Sequence, residues 1–306
     1  CAVGVAMKPR RDLSAGELEA LHERISRMLD KVGLESQPKV ALRVLQLAQD
    51  PNTRVQDWAD AVRTDWALTG RLLKLANSAF YAQRAPVTKL ERALVLLGTE
   101  RAKAVCLGFY LSRAATPPGV KELTRRIWGQ SVYRASLAAT LAKVSSPGLV
   151  GEAFVVGLML DCAVPLMARL IGEDYLKLYD TCDSPAKLFA VEFERLEFTH
   201  TDVAATLARR WRLPTILARP IVWHHAPAPA QHAGDSVAAL QRIAHYSGSL
   251  RLTADGLPRS DEPLPAIAGK LFELPPGGLI AVINDATTEY QATLEVFSGI
   301  ADRLEY

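Results

Sequence analysis

The sequence predicts an all-α fold, and three observations support that prediction. Apolar residues recur at intervals of three and four along most of the chain, which is the period of an amphipathic helix. Short stretches rich in Pro, Gly, Ser and Asp separate these segments, as turns between helices do. No two segments show convincingly the alternation of paired strands. We therefore expect a multi-helix globule that begins with a helical bundle.

Breaks and capping residues place the individual helices. Thr88-Lys89-Leu90-Glu91 and Thr199-His200-Thr201-Asp202 have capping-box spacing, and Ser184-Pro185 combines a cap with a first-turn proline. Gly98 suits a helix stop, and Pro165 restarts or kinks an apolar helix. Helices are expected at about 38–49, 55–63, from 66, 88–97, 100–112, 121–144, up to 161, from 185, 199–211, 213–225, 235–250, 266–272 and 279–304.

Length and composition bound the class of protein. The 306 residues allow one large domain or two modest ones, and 49% apolar with 23% charged residues are typical of a globular protein with a substantial core. The net charge of +3 is too small to indicate a nucleic-acid partner. No apolar run approaches the ~18 to 20 residues of a membrane span, and no signal peptide is visible. We expect a cytoplasmic protein without a membrane or nucleic-acid partner.

The four cysteines have wide, irregular spacing. They therefore indicate reduced, mostly buried thiols of a cytoplasmic protein and neither a disulfide frame nor a zinc site. These residues are Cys1, Cys106, Cys162 and Cys182.

The N-terminal segment carries a short apolar seam. Leu18, Leu21, Ile25, Met28 and Val32 are spaced 3, 4, 3, 4, which is the repeat of a coiled coil about two heptads long. We expect an amphipathic helix that packs on its own domain. A homodimer through this helix, or a stalk that carries a signal from an upstream domain, is the alternative.

Two motifs in the first half of the chain resemble those of a known family. Residues Asp65 to Tyr81, DWALTGRLLKLANSAFY, are similar to the signature DPxLTxRLLxLANSAxY. The stretch from Val87-Thr88 to Leu97-Gly98 is similar to a second pattern, Ile/Val-Thr followed by Ala and a Leu-Gly stop.

Two motifs in the second half point to the same family. Glu192-Phe193-Glu194 to His200 is similar to ExExxxxxH, and Trp211-Arg212-Leu213-Pro214 followed by His224-His225 is similar to WxLPxxxxxxxxxHH. On these motifs, the segment from Pro38 to about His225 resembles the HDOD family, a divergent branch of the HD phosphohydrolase superfamily.

The resemblance implies an HD-superfamily-like fold and a role in bacterial signalling or regulation, often beside receiver, cyclic-nucleotide or GGDEF/EAL modules. No such module is visible in this chain. We expect an N-terminal helix and linker at 1–35, an HDOD domain at 36–230, and a C-terminal helical extension at 231–306 that packs on the HD-like core. Within the HDOD domain, 36–115 would be a helical subdomain and 116–230 a degenerate HD-like core.

The resemblance also implies a metal-ligand set, and most of that set is missing. HD phosphohydrolases hold one or two divalent metals with a His, a His-Asp pair and a distal Asp, and the metal activates water and clamps phosphate. The first position corresponds to Gln130, the pair to Leu160-Asp161, and no Asp occurs near the expected distal position at His245. We therefore expect no catalytic metal, no cofactor and no enzymatic activity. A metal-dependent phosphohydrolase or phosphodiesterase with an atypical ligand set is the alternative.

The remaining histidines could still meet at Asp161, and three His with one Asp would suffice for zinc or iron. However, neighbours such as His224 and His225 project about 100° apart on a helix, so at most one is expected to point inward. His200 lies in a capping turn, where we expect a half-exposed polar residue. Asp161 is expected to be a buried acid that needs a partner such as an Arg. The candidates for a vestigial pocket are Asp161, Gln130, His200, His224 and His225.

Asn77-Ser78 follows an apolar helix and precedes Phe80-Tyr81. We expect the Asn77 side chain to end the helix and to fix the next turn through hydrogen bonds. A direct contact with a partner or ligand is the alternative, and its candidates are Asn77, Ser78 and Tyr81.

These observations predict a non-enzymatic domain for bacterial signal transduction. We expect it to bind a regulatory protein partner, or a small ligand such as a nucleotide in the degenerate HD pocket.

Overall fold

The computed structural model describes residues 8–34, 52–63, 66–77, 85–98, 121–211, 213–225, 235–252, 258–260 and 276–301, and single positions 43, 47, 102, 105, 106, 272 and 274. Over these residues the fold is all-α, as predicted, with one small hairpin. The helices are α1 (Ala15–Leu29), α2 (Val55–Arg63), α3 (Trp66–Ala76), α4 (Leu90–Leu97), α5 (Lys121–Ser145), α6 (Val150–Met159), α7 (Val164–Ile171), α8 (Glu173–Asp180), α9 (Pro185–Arg195), α10 (His200–Arg210), α11 (Thr215–Val222), α12 (Asp235–Gly248) and α13 (Pro276–Ala301). The strands are β1 (Leu250–Leu252) and β2 (Pro258–Ser260), which pair antiparallel.

Some predicted elements cannot be compared. The helices expected at 38–49, 100–112 and 266–272 lie almost wholly outside the described residues. The hairpin was not predicted, because strands of three residues are too short to show an alternating pattern.

Helix α5 is the centre of the molecule. Every residue from Gln130 to Ala142 is buried, because α6 and α13 pack on different sides of this helix. Its inner residues belong to two apolar clusters, with Ala135 in one and Leu137 in the other. A helix that is covered on all sides needs small or apolar residues around its circumference. Side chains from distant parts of the chain can therefore meet against its buried turns.

Gly157 allows α6 to approach α5 at close range. A Cβ atom at this position would lie 2.5 Å from the carbonyl oxygen of Arg134 and 2.8 Å from the Cα atom of Ala135. Backbone atoms cannot move aside as the end of a flexible side chain can, so only glycine fits here. This contact fixes the distance between α5 and the turn that follows α6.

Most of the predicted caps are present. The Thr199 and Asp202 capping box forms, the Ser184 hydroxyl accepts from the amide of Lys187, and Gly98 ends α4 with φ +78°. The capping box predicted at Thr88 is wrong, because α4 begins after Lys89 without a side-chain cap.

The carboxylate that was expected to close the Thr88 box has another partner. Glu91 accepts a hydrogen bond of 2.5 Å from Arg63 of α2 instead of reaching back to the start of its own helix. The carboxylate is therefore directed toward α2 and not toward the start of its own helix.

The N-terminal helix packs on its own domain, which is the first of the arrangements predicted for it. Ile25 and Leu29 of α1 are fully buried within the chain. At the edges of the contact with α10, Arg209 pairs with Glu19, and Arg210 pairs with Asp30 at 2.5 Å. A homodimer through this helix stays a prediction.

One segment is more apolar than the sequence analysis allowed. Residues Pro147–Ile171 have the length and composition that a membrane span requires, and their most apolar window has a mean hydropathy of 1.9. The expectation that no apolar run approaches this length is therefore wrong. The segment contains α6 and α7, and 78% of its most apolar window is buried inside the fold, as in a core helix of a globular protein.

The described cysteines form no disulfide. Cys106 and Cys182 are buried, and Cys162 is nearly so. Burial, reinforced by the charge of Asp161, raises the pKa of Cys162 to about 12, so its thiol stays protonated and unreactive at neutral pH. Cys1 lies outside the described residues.

We predict that Gly157→Ala lowers the free energy of unfolding by at least ~1–3 kcal/mol, because the added methyl group overlaps the backbone of α5. The control is Gly70→Ala in α3, where no atom lies within 4 Å of the added carbon. Alanine there should stabilise the protein by about 0.5–1 kcal/mol. Urea unfolding of both variants checks this, and equal effects would contradict the close approach.

Candidate functional site

Asp161 lies in the turn between α6 and α7 and forms a buried ion pair with Arg134 of α5. The exposed fractions of their side chains are 6% and 1%, and Arg134 Nη1 donates to Asp161 Oδ2. Arg134 Nε and Nη2 donate to the carbonyl of Leu250 at 3.1 and 2.7 Å, and Nη2 also reaches the carbonyl of Gly248 at 3.2 Å. Buried charges need this kind of compensation. The predicted arginine partner of Asp161 is therefore Arg134.

The ion pair keeps Asp161 ionised. Burial alone would raise the pKa of this carboxyl group, but the Arg134 guanidinium group outweighs this effect and holds the pKa well below its usual value. The carboxylate thus presents one oxygen, Oδ2, to the guanidinium group and directs the other, Oδ1, to the opposite side.

Three histidines meet at that opposite side. His224 Nε2 lies 3.3 Å and His200 Nε2 lies 3.7 Å from Asp161 Oδ1. His225 Nε2 lies 3.1 Å from His200 Nε2. One potential ligand atom from each of the four side chains falls within 4.8 Å of the others. The structure therefore brings together four of the five residues predicted for the vestigial pocket as a compact group.

The expectation that only one of His224 and His225 points inward is wrong. Helix α11 ends at Val222, and residues 223–225 form a turn and bend, so the helical angle of 100° does not apply to them. His224 is 1% exposed, and the His225 ring lies 4.0 Å from it and stacks on Phe189.

The expectation of a half-exposed His200 is also wrong. His200 is the first residue of α10, and its exposed fraction is 0%. Its amide and its Nδ1 atom both bond to Oε2 of Glu192, at 2.9 and 2.6 Å. The capping turn of α10 therefore faces α9 in the interior.

Glu192 belongs to the histidine group but is absent from the candidates predicted for the pocket. It is fully buried in α9, and its other oxygen accepts from the Tyr175 hydroxyl group. Burial lowers the pKa of His200, but the Glu192 carboxylate outweighs this effect and raises it. The ExExxxxxH motif contained the signal, since its first Glu and its His form this pair.

The surroundings of the other two histidines favour their neutral form. His224 Nδ1 donates to the carbonyl of Ile221 at 2.7 Å, which leaves a lone pair on Nε2. Burial lowers the pKa of His224, and burial together with the other two histidines lowers the pKa of His225 well below its usual value.

The predicted pocket beside Gln130 is almost closed. Gln130 is buried, and with Asp161 it borders a space of about 10 Å³, which holds about one water molecule. Leu160, at the position of the missing family histidine, is fully buried. A Cβ atom at Gly248 would meet His224 at 2.8 Å and Leu160 at 3.5 Å, so glycine makes room for both side chains.

Asn77 performs the structural task expected of it. Its side-chain NH₂ group donates to the carbonyls of Leu73 and Val87, at 2.8 Å each, and its oxygen accepts from the Val87 amide at 2.6 Å. These bonds close the end of α3 on the segment before α4. The other interaction candidates, Ser78 and Tyr81, lie outside the described residues.

A cavity of about 630 Å³ opens next to the histidine group, and His225 forms part of its wall. It lies between the N-terminal segment with α1 on one side and α9, α10 and the end of α11 on the other. Its apolar wall includes Leu21, Phe189, Phe193 and Trp223. Its charged lining residues are Lys8, Arg10, Arg11, Arg24, Glu17, Glu197 and Asp202.

Three of the four cations around the cavity are paired with lining acids. Arg10 contacts Asp202, Lys8 contacts Glu17 and Arg24 contacts Glu197, at 2.7, 2.8 and 2.7 Å. The fourth cation, Arg11, has a weaker contact: its Nε atom lies 3.9 Å from Asp12 Oδ1, and its side chain is 75% exposed. The cavity therefore combines an apolar, aromatic body with a rim whose four cations exceed its three acids by one charge.

The fold defines an HD-superfamily-like helical domain. Residues 34–227, more than half of the chain, match the HDOD domain family. The chain belongs to that family, as the sequence motifs predicted.

Relatives with known structures share the fold at low identity. A protein from Marinobacter aquaeolei VT8, named a signal transduction protein, has a TM-score of 0.68 and 19% identity over 94% of this chain and 66% of its own. A protein from Shewanella amazonensis SB2B, named a phosphohydrolase, has a TM-score of 0.64 and 21% identity over 89% of this chain and 97% of its own.

An uncharacterized protein of Treponema pallidum (strain Nichols) is 21% identical over 61% of this chain. The chain spans only 37% of that relative's length.

The ligand set of an HD phosphohydrolase does not fit this site. Leu160 has no lone pair to offer, and Arg134 already engages Asp161 Oδ2. A pair of metals bridged by both oxygens of this aspartate would have to displace a buried guanidinium group.

We predict that Arg134→Met lowers the free energy of unfolding by about 3–5 kcal/mol, because Asp161 would stay buried without its compensating charge. Arg125→Met on the same helix is the control, since Arg125 pairs with Glu122 at the exposed surface. That change should cost about 1 kcal/mol or less. Denaturant unfolding measures both values, and a similar small loss in each would contradict a structural role for the buried pair.

Proposed function

We propose that this chain is a non-enzymatic regulatory domain that binds a small ligand in the 630 Å³ cavity and passes that state to a protein partner. The ligand has a flat aromatic ring and an anionic group, as a nucleotide does. The observation that carries the proposal is the cavity itself, which adjoins the histidine group. The space beside Asp161 and Gln130, where an HD hydrolase would hold its metal, is almost closed.

The filled catalytic position supports the non-enzymatic part of the proposal. A hydrolase needs an open ligand position for water and substrate next to its metal. Here the space beside Asp161 and Gln130 holds about one water molecule, and Arg134 supplies the positive charge that Asp161 needs.

The cavity suits the ligand class in size and in chemistry. Small-molecule sites commonly enclose about 300–1,000 Å³, with apolar walls and a few polar groups. Phe193 and Trp223 are aromatic lining residues on which a base can stack. Arg11, the most exposed cation of the rim, is available for a phosphate group.

Helix α1 is suited to transmit the bound state. It forms one wall of the cavity through Leu21 and Arg24, and polar bonds such as His22 to Thr206 attach it to α10. A ligand that contacts both walls would hold α1 more firmly against α10. If α1 can occupy two positions, the ligand shifts the protein toward the position to which it binds more tightly.

We predict that a nucleotide raises the unfolding temperature of the protein, because a ligand that binds only the folded state stabilises it. Nucleoside monophosphates and cyclic dinucleotides are the probes in a thermal-shift screen, followed by calorimetry. Phe193→Ala should weaken binding about tenfold or more, since it removes a stacking face. Arg11→Gln should weaken it several-fold, whereas the same change at the distant Arg125 should have no effect. No shift with any nucleotide would contradict the proposed ligand class.

We predict no metal-dependent phosphodiesterase activity. The substrate is bis(p-nitrophenyl) phosphate, with Mn²⁺, Fe²⁺ or Zn²⁺ added, and the wild type should release no more nitrophenolate than Asp161→Asn. Circular dichroism confirms that the variant is folded. Metal-dependent turnover that Asp161→Asn abolishes would favour the alternative, a phosphohydrolase with an atypical ligand set.

A further inference from the structure

We propose that Asp161, His200, His224 and His225 bind one zinc ion in a closed, four-coordinate site beneath the cavity. The sequence analysis expected no metal, because it counted the ligands of an HD hydrolase, to which only Asp161 contributes here. The proposed site is a different set, in which three imidazole nitrogens and one carboxylate oxygen lie within 4.8 Å of one another. It goes beyond the proposed function and does not depend on what the cavity binds.

The distances agree with a tetrahedral site. Zinc binds imidazole nitrogen and carboxylate oxygen at about 2.0–2.2 Å, so neighbouring ligand atoms of a tetrahedron lie roughly 3.3–3.5 Å apart. The separations from Asp161 Oδ1 are 3.3 Å to His224 Nε2 and 3.7 Å to His200 Nε2, and the two Nε2 atoms of His200 and His225 are 3.1 Å apart. The other three pairs of ligand atoms lie within 4.8 Å of each other, so the group is compact enough to contract around one ion.

Two of these atoms are buried without a hydrogen-bond partner. Asp161 Oδ1 and His224 Nε2 face each other at 3.3 Å without the alignment of a hydrogen bond. Because His224 Nδ1 donates to the Ile221 carbonyl, its neutral ring presents a lone pair to the carboxylate. Two acceptors at this distance repel each other. A cation between them satisfies both atoms.

The surroundings orient the ligands as second-shell groups of metal sites do. Glu192 accepts from His200 Nδ1 and the Ile221 carbonyl accepts from His224 Nδ1, so Nε2 is the ring nitrogen that each histidine turns toward Asp161 Oδ1. Arg134 holds the other oxygen of Asp161 and so fixes the direction of Oδ1. Three imidazoles and one carboxylate suit zinc, which prefers four such ligands.

A closed site has a structural and not a catalytic task. All four positions are filled by the protein, and His200 and His224 are almost completely buried. Of the four ligands, His225 alone also lines the cavity. The ion would therefore join α10 and the end of α11 to the turn after α6, and it would hold His225 in place as part of the cavity wall.

The test measures zinc binding to the full chain. Protein is stripped with a chelator, dialysed against ZnCl₂ and passed over a desalting column, and zinc is counted by mass spectrometry. We expect one zinc per chain in the wild type and less than a tenth of that in His224→Ala and in His225→Ala. His22→Ala is the matched control, because His22 lies on α1 outside the group and should retain the ion. Glu192→Gln should weaken affinity about 10–100-fold in a competition assay with a chromophoric chelator.

A second probe reports geometry independently of stability. Cobalt(II) in a tetrahedral site absorbs visible light strongly, whereas octahedral cobalt absorbs weakly, so the wild type and His22→Ala should become intensely coloured and His225→Ala should not. His225 is the ligand at the edge of the group, and its loss should leave the fold intact by circular dichroism. Absence of bound zinc in the wild type, equal zinc in His225→Ala, or an octahedral cobalt spectrum would overturn the proposal.

Discussion

The ion pair between Arg134 and Asp161 joins parts of the molecule that are distant in the sequence. Arg134 reaches from the central helix to the turn after α6 and, through two carbonyl groups, to the end of α12 and the start of β1. These contacts are buried, so each group depends on the others for its hydrogen bonds. The direction of Asp161 Oδ1, and with it the arrangement of the histidine group, depends on this pair.

Two glycines make the arrangement sterically feasible. Gly157 lets α6 lie directly against the backbone of Arg134, and Gly248 leaves space for His224 and Leu160. Both positions exclude a Cβ atom because other atoms already lie there. Backbone packing and charge compensation therefore act on the same few residues. This explains how a leucine in place of a ligand is compatible with a dense, ordered site.

Much of the fold was predictable, because helix periodicity and local caps are properties of neighbouring residues. The bounds of α2 and the capping box at Thr199 agree with the prediction. The missed features depend on residues that are distant in sequence. Glu91 does not cap its own helix as predicted, because its carboxylate accepts from Arg63 of α2. Arg134 lies 27 residues from Asp161, and nothing local in the chain distinguishes it from other helical arginines. His224 and His225 could not be oriented, since the end of a helix is uncertain by several residues.

Leu160 and Arg134 also have a consequence for the evolution of this domain. Restoring a histidine at position 160 would leave the guanidinium group on Asp161, and removing the arginine first would strand a buried negative charge. A change at either position is thus costly before the other has occurred. The two positions are coupled, and substitutions at them are expected to be tolerated only together.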